Sequence, residues 1–378
     1  MYKLIFNLII AFILLFSFVT PSLAQEQVDP QEYFAKGEVQ EVLPLATETI
    51  NTIVVNTQEY RIKLLDGIES GKMIIVKQQI DSRFSLLLPN AGDIMVISSR
   101  VYPVTGRQYG IYEPYRLNLL VIVSVVFVVF VVLIAGLRGL GALVGLGISL
   151  FVIIGWIVPQ ILSGQDPLQI TIMGACVILV VTTYIAHGIS LKTTVAIVST
   201  AIAFFVAAWL STTMVSALKI TGFGNEDIYT LQMGMQNSIN PKGLLLSGIL
   251  IGTLGALNDI TTTQAITIFT FVKENPKQKM HDLYLKGMTI GQEHIASLIN
   301  TLVLAYAGSS IAVLIFFSLN PLHMPWWVVL NNETTIEEIL KALVGSSVLI
   351  MAVPITTFLA TWVALRGTTI RTFLKSFS

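Results

Sequence analysis

The stretch Leu254–Ala265, LGALNDITTTQA, sits inside a long apolar run, with GLLLSGILIGT (243–253) before it and ITIFTFV (266–272) after it. An Asn-Asp pair, three threonines and a glutamine stand at its centre. A helix rises about 1.5 Å per residue, which puts Asp259 about 24 Å from Gly243 and about 18 Å from Phe271. In a bilayer that depth is close to the midplane, where a carboxylate costs at least about 2.5–3.5 kcal/mol and so needs a partner, a cavity or a proton. Of the ten acidic residues after position 116, Asp259 alone lies so deep.

The composition around this stretch fits a membrane setting. Hydrophobic residues make up 54% of 378 and charged residues only 12%, against about a quarter charged in soluble chains. The apolar residues gather in runs near the roughly 20 residues that span hydrocarbon as helix. The expected fold is therefore an α-helical polytopic membrane bundle with a small β-rich extracytoplasmic N-terminal domain. Its domains are a signal peptide at 1–24, a β-barrel or sandwich at 25–115 and a transmembrane domain at 116–378. The net charge is zero and no basic stripe is visible, so nucleic acid is not an expected partner. The single Cys176 forbids an intrachain disulfide and a thiolate metal cluster.

The first residues read as a secretory signal. Lys3 supplies the positive end, 4–19 the apolar core, and Ser22 and Ala24 the small residues before a cut at Gln25. An uncleaved anchor is the alternative, and both place the following domain outside the cytoplasm. From 25 to 115, GEVQEVL, TINTIVVN, EYRIKLL, KMIIVKQ, FSLLL and DIMVISSRV read as strands between turn signals. GIESGK (67–72) is one residue short of a phosphate loop and lacks the following Ser or Thr.

Beyond Leu117 about seven transmembrane helices are expected, near 117–137, 140–162, 167–188, 193–216, 243–272, 289–318 and 338–365. With residue 116 outside, Arg138, Lys192, Lys273, Lys277, Lys279, Lys286, Arg366, Arg371 and Lys375 fall inside, and Lys219, Lys242 and Lys341 outside. Nine against three follows the positive-inside rule and predicts a cell-membrane protein with an outer N-terminal domain and a cytoplasmic C-terminus. The outer loop 220–241 could lie on the membrane surface or cover the bundle. Trp326 and Trp327 suit the outer interface.

Gly248, Gly252 and Ala256 form a small-xxx-small row that admits a close helix neighbour. Asp259 and Thr263 continue the same face, which predicts a carboxylate pointing toward other helices. Thr261 and Gln264 match a capping box. Two half-helices meeting at Asn258 and Asp259 are one reading, and a continuous helix whose threonines bond to their own carbonyls is the other. In the sixth segment Asn300 and Thr301 lie at the depth of Asp259, and Pro354 in the last segment is expected to break its helix at that level. The candidate substrate or ion site is thus Asp259 with Asn258, Thr262, Thr263, Asn300 and Thr301. Glu293 and His294, near the inner mouth, are a candidate gate or proton relay. His187 reads as an inner-end cap, and the recurrence of LGAL at Leu140 and Leu254 as coincidence.

The stretches SGILIGTLGALNDITTTQA, INTLVLAYAGSS and EEILKALVGSSVLIMAVPITTFLA closely resemble the bacterial YibE/F-like membrane protein family. The resemblance spans about 117–365 and rests on Gly255-Ala256-x-x-Asp259-x-Thr261 and on Asn300-Thr301-Leu302-x-Leu304-Ala305-Tyr306. It implies an outer β-rich region before the bundle and no particular reaction. Asn258 departs from the family pattern, where an apolar residue is common.

Catalysis is not expected. An aspartyl protease needs two membrane aspartates, a zincin needs paired histidines on one helix, and a serine enzyme needs a nucleophile elbow. No cofactor or metal is expected. The expected function is transport of a small solute or ion across the bilayer. The alternative is a scaffold, sensor or assembly partner that meets an envelope protein through 25–115. A homo-oligomer is compatible with both.

Overall fold

The computed structural model describes residues 32–375 apart from 51–52, 81–87, 103–105, 225, 235–238 and 320–322. The signal segment 1–24 and most of FSLLL lie outside the described residues. The chain divides between Leu133 and Ile134 into two compact units.

The first unit carries a six-stranded antiparallel sheet: β1 Glu32–Val42, β2 Ala46–Ile50, β3 Ile53–Leu64, β4 Met73–Ile80, β5 Ile94–Tyr102 and β6 Gly106–Pro114. The strand order is β2-β3-β1-β5-β6, and β4 joins the free edge of β3. Strand β3 is long enough to pair with β2 over its first half and β1 over its second. Because β4 and β6 also approach each other, the sheet curls toward a barrel. Alternation along the strands turns Val39, Tyr60, Ile62, Leu64, Ile74, Val76, Met95 and Ile97 into one core. TINTIVVN and EYRIKLL, expected as two strands, contribute to the β2–β3 hairpin and to one continuous β3. Strand β6 has no counterpart among the expected strands, since glycine and charged residues blur its alternation.

Ten helices follow. These are α1 Leu117–Val152, α2 Val158–Leu162, α3 Pro167–His187, α4 Leu191–Ala217, α5 Glu226–Gly234, α6 Pro241–Glu274, α7 Met280–Ser309, α8 Ile311–Leu319, α9 Trp326–Leu330 and α10 Glu333–Lys375. A π-helical turn, Ile153–Ile157, joins α1 to α2. Helix α1 kinks at Gly136, whose φ of 59° and ψ of −140° suit only a residue without a Cβ. Starts are marked in the sequence. Asp166 accepts from the Gln169 N–H ahead of Pro167, and Asn240 accepts from the Gly243 N–H ahead of Pro241.

Among the described residues, five helical runs are long and apolar enough to cross a membrane: Leu117–Leu162, Pro167–His187, Leu191–Ala217, Pro241–Glu274 and Glu333–Arg366. The seven expected segments differ for two reasons. The first two fall in one helical run broken at Gly136. The sixth is divided at Ser310 between α7 and α8, and in α7 Thr289, Gln292, Glu293, His294, Ser297 and Asn300 keep the hydropathy low.

Within the second unit, α4, α6 and α10 form the centre, and Phe204, Leu250, Leu257, Val348, Leu349 and Ala352 pack there with little or no exposure. Small side chains on α4, Ala203, Ala207 and Thr200, are buried as well and permit the close approach. At the Glu333 end of α10, the Glu333 carboxylate accepts from the Thr221 and Gly222 N–H groups, and Glu337 accepts from the Gly224 N–H. These bonds hold loop 220–224 against α10. Pro354 lies inside the continuous α10, so the expected break is absent. The cost is confined to one missing backbone donor, and Thr356 and Thr357 bond back to the Ala352 and Val353 carbonyls around it.

Candidate functional site

Helix α6 is continuous through Asn258 and Asp259. Of the two expected readings, the unbroken helix holds: Thr261 donates to Leu257 O at 2.9 Å and does not cap a second half-helix.

Neighbouring helices fix the level of Asp259. The Thr183 hydroxyl of α3 lies 2.8 Å from Asn258 Oδ1 and 2.6 Å from Leu179 O, its one proton shared between them, and the hydroxyls of Thr200 (α4) and Thr261 are bonded to each other. Gln264 donates to Gly287 O of α7 at 2.8 Å and to Thr357 Oγ1 of α10 at 2.7 Å. Thr200 is nine residues into α4, about 13.5 Å from its Leu191 end. Asp259, two residues before Thr261 on the antiparallel α6, is thereby level with the middle of α4. Helix α3 is different. Thr183 is only four residues, about 6 Å, from the end at His187. Helix α3 therefore stops just past the level of Asp259, while α4, α6 and α10 run on.

A cleft of about 390 Å³ opens beside that short helix. Its polar lining is Ser149 from α1, Thr182 and His187 from α3, and Asn258 and Asp259 from α6. The remaining lining is aliphatic or glycine, including Leu146, Ile153, Ile178 and Leu254. Small residues bring the walls together: a Cβ on Gly141 would lie 3.2 Å from Ile185 O, and one on Gly145 would lie 3.4 Å from Thr182 Cβ. Ala142 and Gly255 both line the cleft, so the two LGAL copies converge on one feature despite their distance in sequence.

The expected inward face of α6 is corrected by this arrangement. Gly248, Gly252, Asp259 and Thr263 are exposed and Ala256 is half-buried; a Cβ on Gly248 meets nothing within 4 Å, and one on Gly252 meets only the Tyr306 hydroxyl, at 3.6 Å. The bundle buries the opposite face of α6, with Ile249, Leu250, Leu257, Ile260 and Ile268. Those aliphatic side chains remove far more apolar area from water than a glycine row can. Asp259 is left to the cleft.

The other expected residues separate into groups. Asn258 and Asp259 are adjacent in the cleft. Thr262 is buried on α6, and its hydroxyl has no partner among the described residues. Thr263 is exposed. Asn300 and Thr301 are exposed on α7, and Thr301 donates to Ser297 O at 2.9 Å. Glu293 is exposed and His294 half-buried on the same helix, and neither lines the cleft. Residues missed in the sequence are His187, Thr182, Thr183 and Ser149, which look like ordinary helix-end or backbone-bonded side chains until α1 and α3 are placed on α6. Gln264, read only as a cap, is fully buried and ties α6 to α7 and α10. Gly287 and Gly291 make that contact close: a Cβ on Gly291 would lie 2.3 Å from Val353 Cγ1. No group of three or more His, Cys, Asp or Glu able to hold a metal occurs among the described residues.

The family model of the YibE/F-like proteins matches residues 123–366. The chain belongs to the YibE/F-like family. The match takes in every wall of the cleft, from Ala142 to Asp259, and ends at the close of the last apolar helix. Comparison with curated proteins and with solved structures gives no match.

The β-sheet unit of this YibE/F-like protein carries its own polar cluster. Glu69 accepts hydrogen bonds from the Tyr109 hydroxyl and from Lys72 Nζ (2.9 Å), and Arg107 stands 3.1 Å away. The Tyr109 bond foremost, then Lys72 and Arg107, pull the Glu69 carboxyl down to about 2. Lys72 and Arg107 are correspondingly raised by Glu69. Arg107 also stacks over the Tyr33 ring at 5.4 Å. The cluster satisfies itself and holds the turn at Gly67–Lys72 on β6.

Proposed function

We propose that this YibE/F-like protein is a multi-pass protein of the cell membrane that moves a small solute or ion through a polar site around Asp259. The outer N-terminal domain and cytoplasmic C-terminus follow from the distribution of lysine and arginine. One observation carries the transport reading. A carboxylate level with the middle of α4 faces a cleft of about 390 Å³ at the place where α3 stops short. Intramembrane ionisable groups are functional by default because each costs several kcal/mol to place, and a cleft beside one gives a ligand somewhere to bind. No reaction is assigned.

The test is flux in proteoliposomes. Asp259→Asn inserts and folds but loses uptake or proton movement. Unchanged flux in that variant removes Asp259 from the mechanism.

A second reading is favoured by the surface of the β unit. Phe34, Tyr112 and Ile68 are exposed, Ile68 at 79%, and the Phe34 and Tyr112 rings meet edge to face at 5.4 Å. Exposed aromatic groups of this kind serve protein contacts. In this reading the domain docks an envelope protein. A photoreactive residue at position 68 of the full chain then captures a single discrete partner in the envelope, and absence of any adduct speaks against it.

A further inference from the structure

We infer that the ligand class of the Asp259 cleft is an organic ammonium with an apolar body, not a bare metal ion. The inference rests on the reading of Asp259 as a binding site and goes further by naming the chemistry.

Size comes first. A water takes about 30 Å³ of liquid, so about 390 Å³ corresponds to roughly a dozen waters. That lies in the range of small-molecule sites, about 300–1,000 Å³, and exceeds what a bound inorganic cation needs. The donor set agrees. A hard divalent cation wants six or more oxygen ligands with several carboxylates, and Asp259 is the only carboxylate lining the cleft.

The hydrogen-bonding state of the lining supplies the sign. Ser149 donates its hydroxyl proton to Gly145 O at 3.0 Å, and Thr182 donates its own to Ile178 O at 2.7 Å. With those protons committed to their own helices, both oxygens present lone pairs. Two hydroxyl oxygens and a carboxylate thus line the cleft as acceptors, beside the Asn258 amide and the His187 ring. A ligand that brings several N–H donors and one positive charge satisfies all three. An anion meets the negative charge of Asp259. Opposite the polar group, Leu146, Ile153, Ile178, Leu179, Ile251 and Leu254 offer an aliphatic wall for an apolar body. His187 lines the cleft as well, and Asp259 is the one carboxylate there.

The ammonium can arrive on a free amine or on the headgroup of an aminophospholipid. The experiment uses the full chain in nanodiscs of phosphatidylcholine and phosphatidylglycerol, titrated with phenethylammonium chloride and with phenethyl alcohol by calorimetry. The ammonium binds and the alcohol does not. Affinity falls at least tenfold in Asp259→Asn and several-fold in Ser149→Ala/Thr182→Val, which removes two acceptors without touching a charge. Equal binding of alcohol and ammonium overturns the proposal. So does an unchanged affinity in monodisperse Asp259→Asn or, where that variant does not fold, in the double variant. A second set of nanodiscs contains phosphatidylethanolamine. Competition there identifies the lipid headgroup as the source of the ammonium, and its absence identifies a free amine. Both outcomes uphold the chemistry. Ammonium binding without flux rejects transport alone, and flux without ammonium binding rejects this inference alone.

Discussion

The Thr183 hydroxyl bonds Asn258 Oδ1 at 2.8 Å, one residue before Asp259, and so pins the last turn of α3 to the middle of α6. Thr183 is fully buried, so the bond is not in competition with water. Interhelical hydrogen bonds in membranes average about 0.6 kcal/mol and reach about 1.7. Thr183→Val is expected to lower the unfolding midpoint of the detergent-solubilised protein by an amount within that range, and to reduce flux more than stability. Flux at the wild-type level would mean that the pin does not position Asp259.

Asp259→Asn is the sharper change. It keeps shape and removes the charge, so if the proposed membrane setting holds, stability holds or rises because a carboxylate at hydrocarbon depth is costly. On the proposed function, flux falls by at least tenfold. Uptake assays paired with a thermal melt separate the two effects.

Glycines of the second unit should respond in opposite directions. Gly291→Ala places a Cβ 2.3 Å from Val353 Cγ1 and 3.2 Å from the Gln264 amide, an overpacking that costs about 1–3 kcal/mol. Gly248→Ala meets nothing within 4 Å and is expected to be neutral or to stabilise by about 0.5–1 kcal/mol through helix propensity. Denaturation of the two variants side by side checks the pair. A destabilised Gly248→Ala would show that this face is covered, as by a second copy of the chain.

The β unit should weaken in acid through Glu69. Its carboxyl is held at about 2 in the folded state against 4.5 ordinarily. A depressed folded value means the stabilisation is complete above about pH 4.5 and is lost as pH falls toward 2. With Glu69 partly exposed, screening keeps the effect on the order of 1 kcal/mol. Hydrogen exchange at Ile74, Val76 and Ile97 in the full chain should accelerate over that interval, and Glu69→Gln should flatten the dependence. An identical profile in the variant would remove Glu69 as the cause.

Much of this architecture was legible along the chain. The apolar runs after Leu117, the caps Asp166 and Asn240 and the alternation of DIMVISSRV each announce an element, because they are local signals with a local cause. Asp259 stood out for the same reason. Its surroundings did not. The glycine row of α6 obeys a pattern for close packing, yet the aliphatic face beside it buries more area and wins. Pro354 carries the local sign of a break, but a helix packed along its length tolerates one missing donor. His187 and Thr182 carry no signal, since nothing near them in sequence says that α3 ends beside Asp259.

The sequence by itself therefore pointed to the YibE/F-like family, to apolar helices though not their number, to the β-rich first part and to the one aspartate in the middle of an apolar run. The family rests on the motifs the chain shares with it, and the others on composition and periodicities of a few residues. Only the tertiary structure decided which way that aspartate faces and what lies beside it. Those depend on where α1, α3 and α6 meet, and that is a competition of buried area between residues far apart in the chain, 75 positions for Thr183 and Asn258.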